Sequence, residues 1–470
     1  MMKSIQFFPS EEMILEDRLA QLAELCADPP LIGSPAFENP IPESRIGRYT
    51  GDKRTCATTD MDIIKAYLDA KRDPPSFPAA GPRELLFFNP AAVRIGIVTA
   101  GGIAPGLNTV IHSIVNIHST VYGMREKAVG FLGGFQGISR QHTVELDPAK
   151  TIEWIQKGGT GIFTGRDKAD VNSIVKSIVQ LGIDILYVIG GDGSLSVAHA
   201  IAKEIAARKL KIAVAGIPKT MDNDVLWISH SFGFDTAVEE AARIVNAIHD
   251  EAKSTRRICL LPLFGREAGF VAAHAALACG HVDAILVPEV EFKLEPLLEY
   301  VDRLVKRKGH ALVVLAEGAC PSGYSEKDME EDLRSRGLDP SERTNPRVSD
   351  ALRTWRLNVI HDRFREYFGK IWGDERQVFV EEPRYLIRAI PANSVDQIYC
   401  QRLADLAVHN ALAGYTDFMI SQWLDQYVLI GLSLVADEKG PDGQRLTKKI
   451  QPGSVFWATV INSTDQPSFV

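Results

Sequence analysis

Three short apolar runs, each cut off by glycine or another small residue, constrain this chain more than any other feature. Ile95-Gly96-Ile97-Val98 runs into Thr99-Ala100-Gly101-Gly102, Ile185-Leu186-Tyr187-Val188-Ile189 into Gly190-Gly191-Asp192-Gly193-Ser194, and Ile212-Ala213-Val214-Ala215 into Gly216-Ile217-Pro218-Lys219. Short runs of β-formers without polar alternation are buried on both faces, as happens in a parallel sheet covered by helices. Helical patterns begin at about Gly106 and again over about Ser194 to Arg208, so strand, turn and helix alternate. That order is the βαβ signature of an α/β fold. It resumes at Ile258 to Leu263, Ala284 to Val287 and Ala311 to Leu315, which predicts a second α/β lobe.

Around these lobes the sequence is less regular. Residues 1 to about 90 alternate acidic helical stretches with proline-broken ones and end in Asp73-Pro74-Pro75-Ser76-Phe77-Pro78 and Gly81-Pro82, which reads as an extended linker. The predicted division is an extension over 1–91, a first lobe over 92–233 completed by about 389–440, a second lobe over 234–388, and a tail over 441–470. The polar stretch from Ser322 to Asp350 reads as a surface insertion. A formal net charge of −8 excludes the broad basic field that coating a nucleic acid requires. Cys26, Cys56, Cys259, Cys279, Cys320 and Cys400 show no CxxC or zinc-finger spacing and read as free thiols of a reducing compartment. With no apolar run long enough to span a membrane, a cytoplasmic location is the expectation.

In doubly wound sheets ligands bind beyond the carboxyl ends of the strands, and the three glycine-bearing segments sit at such ends. The first, from Thr99 to Asn108, lets backbone N–H groups approach an anion ahead of a helix. It is not a Walker loop, because Leu107-Asn108 stands where lysine and a hydroxyl would hold phosphate and metal. Taken alone, an ordinary tight βα turn is its plainer reading. In the second, Asp192 among glycines faces Mg²⁺ through water, or Asp192 or Ser194 caps the following helix, or both hold. The third continues as Lys219-Thr220-Met221-Asp222-Asn223-Asp224. Two carboxylates beside a lysine and a hydroxyl are costly unless they meet a metal, a phosphate or a mobile proton; a plain polar turn is the bland alternative, and the strand-end position and Lys219 favour chemistry.

Together these residues resemble the phosphofructokinase family. Gly190–Ser194 is similar to its signature for the phosphate donor and metal, and Pro218–Asp224 to its catalytic signature. Gly265-Arg266-Glu267-Ala268-Gly269, Ala316-Glu317-Gly318-Ala319 and Tyr385-Leu386-Ile387-Arg388 match in order, over about residues 92 to 435. The extra N-terminal segment and Gly101-Gly102-Ile103 resemble the long-chain branch of trypanosomatids and plants. The resemblance implies two Rossmann-like three-layer lobes with mostly parallel sheets and the active site in the cleft between them. Residues 92–233 would hold the donor and 234–388 the fructose 6-phosphate. It also implies phosphorylation of the 1-hydroxyl of fructose 6-phosphate in glycolysis, with Mg²⁺.

Carried over residue by residue, Asp222 resembles the base that takes the hydroxyl proton, with Thr220 and Asp224 holding substrate and metal-linked water. Arg266 resembles a transition-state cation, and Gly102, Arg166, Gly191, Asp192, Gly193, Ser194 and Lys219 the donor site, Asp192 being the metal-associated carboxylate. Arg257, Phe264, Gly265, Glu317, Tyr385 and Arg388 complete the sugar-phosphate site, the arginines as forks on the 6-phosphate. Phe264 stands where the family usually has methionine, Tyr385 where bacterial short forms have histidine, and Arg376–Glu382 offers no clear further phosphate arginine. Gly193 with Lys219 is a mixed pair: the glycine leaves room for an α-phosphate and implies ATP, while pyrophosphate is the alternative donor. NAD and lipid kinases share a GGDG loop but lack the PKTxDND segment, and a non-catalytic sugar-phosphate sensor would be expected to lose Asp222 or Asp192. The family counterpart of Arg257 reaches a neighbouring subunit's site, which implies a homo-oligomer, a tetramer rather than a dimer.

Overall fold

A computed structural model of the chain describes residues 27–167, 169–341, 346–373, 377–437 and 446–470. Cys26, Arg376 and parts of the extension, the insertion and the tail lie outside the described residues. The chain divides into two units, the first formed by the described residues of Met1–Thr220, Val225–Asp235 and Arg388–Leu446, the second by those of Met221–Asp224, Thr236–Ile387 and Thr447–Val470.

The first unit is built on a seven-stranded sheet. Its members are β5 (Ile95–Thr99), β6 (Ala128–Phe131), β7 (Thr143–Leu146), β8 (Ile185–Gly190), β9 (Ala213–Pro218), β14 (Phe418–Trp423) and β15 (Gln426–Gly431), in the order β15-β14-β9-β8-β5-β6-β7. The inner pairs are parallel and the two edge pairs, β6 with β7 and β14 with β15, antiparallel. The pleat sends alternate residues to opposite faces. Ile95, Ile97, Ile185, Tyr187, Ile189 and Ala215 pack with the helices Leu107–Asn116 and Ser394–Leu412. Val98, Leu186, Val188 and Val214 pack with Val171–Gln180 and Asp192–Ala207. Burial on both faces is why these strands read as unbroken apolar runs.

Before the sheet, β1 (Phe37–Glu38) pairs antiparallel with β4 (Leu85–Leu86), and β2 (Arg54–Cys56) with β3 (Ser76–Pro78). The proline-rich stretch is extended, but it is not a free linker. Phe77 is buried edge-on against Trp227 and Trp423, and Ala80 N–H bonds the Tyr427 carbonyl at 2.8 Å.

The second unit holds a four-stranded, wholly parallel sheet of β10 (Ile258–Leu263), β11 (Ala284–Leu286), β12 (Ala311–Ala316) and β13 (Val378–Val380), ordered β11-β12-β10-β13. Leu260, Val313 and Leu315 pack there against Leu297, Val301, Phe364 and Phe368. The architecture is therefore α/β with a mostly parallel sheet in each unit, as the strand-and-glycine pattern predicts. Within the polar insertion, Ser325 caps the helix Glu326–Ser335 with a capping box, and Met329 and Leu333 bury against Val348 and Trp355. Late in the chain a helix over Val455–Thr464, capped by Ser454, packs on the helix Phe270–Cys279 and on β11. Cys56, Cys259, Cys279, Cys320 and Cys400 are free. Among the described residues no helix is long and apolar enough to cross a membrane.

Candidate active site

In the first unit the adjacent strands β5, β8 and β9 end side by side, with Thr99 paired to Ile189 and Gly190 to Pro218. Their loops converge. A Cβ on Gly101, whose φ of +87° suits glycine, would stand 3.6 Å from Lys219 Nζ and 3.7 Å from Ser194 Oγ. A Cβ on Gly102 would stand 3.1 Å from the Arg166 guanidinium, and one on Gly191 3.2 Å from the Lys219 carbonyl. Arg166 is held close because its loop is stitched to the first strand end: Gly101 N–H bonds the Gly165 carbonyl at 2.9 Å, and Thr164 Oγ1 donates to the Gly101 carbonyl at 2.9 Å. Lys219 is buried, and its N–H bonds the Gly190 carbonyl at 3.0 Å.

The helix after β8 starts earlier than the sequence implies. Neither Asp192 nor Ser194 is its N-cap; Gly191 is, with extended backbone, and Asp192 is already helical. The cause is the pair of glycines. Bare of side chains, they let Ser194 N–H and Leu195 N–H close on the Gly191 carbonyl at 2.8 and 2.9 Å. The helix start has no side-chain cap hydrogen bond, and it presents Asp192 and exposed Gly193 in its first turn. A helix N-terminus of this kind suits an anionic ligand. The described residues hold one ready-made set of metal-ligand groups, His230, Asp235 and Asp396, and Asp192 is not among them. A cation at Asp192 would therefore draw its other oxygens from ligand phosphates and water, which fits Mg²⁺ and its reluctance to shed water.

The second unit gathers Phe264 to Gly269 and Glu317 at the carboxyl ends of β10 and β12. Leu263 pairs with Ala316, Glu317 N–H bonds the Leu263 carbonyl at 3.0 Å and Gly318 N–H the Gly265 carbonyl at 3.0 Å. Gly265 has a φ of +133°, and a Cβ on Gly318 would lie 1.9 Å from the Arg266 carbonyl, so both positions admit only glycine. Phe264 is buried, Glu317 half-buried and Arg266 exposed. Arg257 is not brought to this group. It precedes β10, at the opposite end of a six-residue strand that spans about 20 Å, and its guanidinium lies over the Phe379 ring. Tyr385 is 68% exposed on the short helix Arg384–Arg388, whose Arg388 is half-buried.

Asp222 and Asp224 flank Asn223, which is in the left-handed region with a φ of +55° that asparagine tolerates better than most residues. Two residues absent from the sequence reading hold this segment and its neighbour. Lys448 donates from its N–H to the Asp224 carbonyl at 2.8 Å and from Nζ to Asn223 Oδ1 at 2.9 Å. The residue as a whole is half-buried, but its ammonium is turned inward. Loss of water pulls its pKa down to about 7, against the opposing charge of Asp224. The Glu289 carboxylate accepts from Gly269 N–H at 3.0 Å and Ile450 N–H at 2.9 Å. Burial raises its pKa, and those N–H groups oppose the rise. Lys448 gives no strand-end signal, lying 225 residues from Asn223, whereas Glu289 stands just beyond the carboxyl end of β11, a strand end that carries no glycine loop.

Comparison with known proteins finds a family model and relatives that cover most of the chain. The phosphofructokinase family model matches residues 94–411. ATP-dependent 6-phosphofructokinase 1 of Arabidopsis thaliana is 38% identical over 444 residues, covering 93% of this chain and 89% of that protein. ATP-dependent 6-phosphofructokinase of Amycolatopsis methanolica is 38% identical over 401 residues, covering 84% and 83%. The crystal structure of pyrophosphate-dependent phosphofructokinase from Marinobacter aquaeolei superposes with a TM-score of 0.62 at 19% identity, covering 80% of this chain and 92% of that one, a likeness of fold.

Proposed function

We propose, because this chain belongs to the phosphofructokinase family, that it transfers the γ-phosphoryl group of ATP to the 1-hydroxyl of fructose 6-phosphate, a step of glycolysis in the cytoplasm. The observation that carries the reading is the convergence of Gly101, Ser194 and Lys219 beside the Asp192 helix start. Phosphoryl transfer asks a protein chiefly for positioning and charge stabilisation. On the donor side Gly102, Gly191 and Gly193 let backbone approach the phosphates, and Arg166 and Lys219 supply positive charge. On the acceptor side Asp222 accepts the hydroxyl proton as the sugar oxygen bonds to phosphorus and the bridging oxygen leaves with ADP. Thr220, Asp224, Phe264, Gly265, Glu317, Tyr385 and Arg388 hold the sugar phosphate, and Arg266 faces the charge that develops during transfer. Asp192 would hold Mg²⁺, which supplies charge neutralisation on the donor phosphates when bound.

ATP is favoured over pyrophosphate because Gly193, exposed and without a side chain, leaves space for a third phosphate. The names of the plant and bacterial relatives point the same way. The place of Arg257, at the far end of β10 from Gly265 and Arg266, supports its serving the sugar-phosphate site of a neighbouring copy. The active form is then a homo-oligomer, a tetramer before a dimer. The experiment is direct: purified protein is given fructose 6-phosphate and Mg²⁺ with either ATP or pyrophosphate. Fructose 1,6-bisphosphate formed mainly with ATP supports the reading, formation mainly with pyrophosphate reverses the donor, and no product with either overturns it.

A further inference from the structure

We propose that Lys448 is a positioning residue for the acceptor loops, and that residues 448–450 form a strap fixing the aim of Asp222 and Asp224. The inference rests on the reading of Asp222 as the proton acceptor. Residues 221–224 belong to no helix or strand, so their conformation is not set by a backbone ladder. Their central residue is left-handed at a φ of +55°, and a turn there sends the two flanking carboxylates in directions that any relaxation of Asn223 would change. Lys448 holds the segment at adjacent points, with its N–H on the Asp224 carbonyl at 2.8 Å and its Nζ on Asn223 Oδ1 at 2.9 Å.

The same strap reaches the second acceptor loop. Ile450 N–H bonds Glu289 Oε1 at 2.9 Å, and that carboxylate takes the N–H of Gly269, which closes the segment bearing Arg266. Lys448 Nζ also stands 5.4 Å from the centroid of Phe270, the first residue of the next helix. One short segment is therefore the shared reference for both loops, and it lies beyond residues 94–411, where the family model matches. A small misplacement of a reacting group is costly in rate even where binding survives, so the strap should act on turnover and leave donor affinity alone.

The test compares wild type with Lys448→Met, which keeps the stem and removes the donor, with Asn223→Gly, which keeps the left-handed turn and removes the acceptor, and with the double variant. Hydrogen exchange of a peptide spanning residues 221–224 should speed up at least tenfold in Lys448→Met. Its kcat for fructose 1,6-bisphosphate formation should fall at least tenfold while KM for ATP stays within twofold. The double variant should be no slower than the slower single variant. Unchanged exchange overturns the proposal, as do faster exchange with wild-type kcat and kcat losses that multiply. If Lys448→Met does not fold, Asn223→Gly alone carries the test, and wild-type exchange and kcat in it overturn the proposal. If wild type makes no fructose 1,6-bisphosphate, the functional reading fails, and the exchange result still decides whether Lys448 orders the loop.

Discussion

The two units hold their functional loops by different means. In the first, the loops after β5 and β8 and the start of the one after β9 are shaped by glycines and main-chain bonds, such as Gly101 to Gly165 and Lys219 to Gly190. In the second, the Asp222–Asp224 segment and the loop bearing Arg266 are tied by side-chain atoms, Lys448 Nζ 225 residues from Asn223 and the Glu289 carboxylate 20 residues from Gly269. Backbone shaping suits a ligand recognised by its phosphates, since N–H groups and bare glycines approach anions closely. Side-chain shaping suits a proton transfer, where one carboxylate must have one direction.

The comparison breaks first at Asp222. If the second unit's loop exists to aim one carboxylate, Asp222→Ala should lower kcat by about 10²-fold or more, the usual worth of a general base. Binding of fructose 6-phosphate, followed by calorimetry, should survive, because the residues placed on the sugar phosphate remain. Wild-type turnover in the folded variant removes Asp222 from the role.

A smaller effect is expected at Gly193, and it sharpens the contrast from the other side. The position lies in the first turn of a helix and is exposed, so aspartate fits there without backbone strain and is even favoured by the helix dipole. Stability should be unaffected. The added carboxylate would face the donor phosphates, and like charges a few ångströms apart repel. The ratio of ATP to pyrophosphate turnover in Gly193→Asp should drop at least tenfold, or about 1.4 kcal/mol of transition-state binding. An unchanged ratio in steady-state kinetics means that this glycine does not select the donor.

How much of this was legible follows the same divide. Local devices write themselves into the sequence: strands buried on both faces read as apolar runs, and a sharp strand end reads as glycine. So Ile95–Val98, Ile185–Ile189 and Ile258–Leu263 fall inside β5, β8 and β10. The one local misreading, a cap at Asp192 or Ser194, arose because paired glycines let the helix close on Gly191 first. Devices that join distant residues leave no such trace. Lys448 in Thr447-Lys448-Lys449-Ile450 looks like any solvated basic pair, and nothing near Ser76–Pro78 announces that Phe77 will bury against Trp227 and Trp423. Arg257 is a different case, since the family resemblance puts it on the sugar phosphate while its position before β10 sets it away from Arg266.

The smallest expected effect concerns what lies beneath the first unit's backbone-shaped loops. Tyr187, in β8 below the Gly190 turn, hydrogen-bonds His118 at 2.8 Å, and Tyr122 bonds His409 at 2.6 Å, all four side chains buried. Burial holds the His118 pKa down to about 3, with the charge of His409 adding to the effect, and holds His409 down to about 4. A histidine whose folded pKa is depressed contributes stability that is complete above its ordinary value of about 6.5 and is lost as pH falls toward the folded value, because only the unfolded chain takes up the proton. Between pH 6.5 and 5.5 each such histidine should cost about 1 kcal/mol, a fall in Tm of about 2–4 °C for a unit of this size. His409→Gln should remove its share, so the variant, less stable at pH 7.5 for want of packing, should lose less on acidification than wild type does. Thermal unfolding at the two pH values decides it. Equal losses in both proteins would mean that His409 takes up a proton as readily in the fold as in the unfolded chain, so that burial does not hold it neutral.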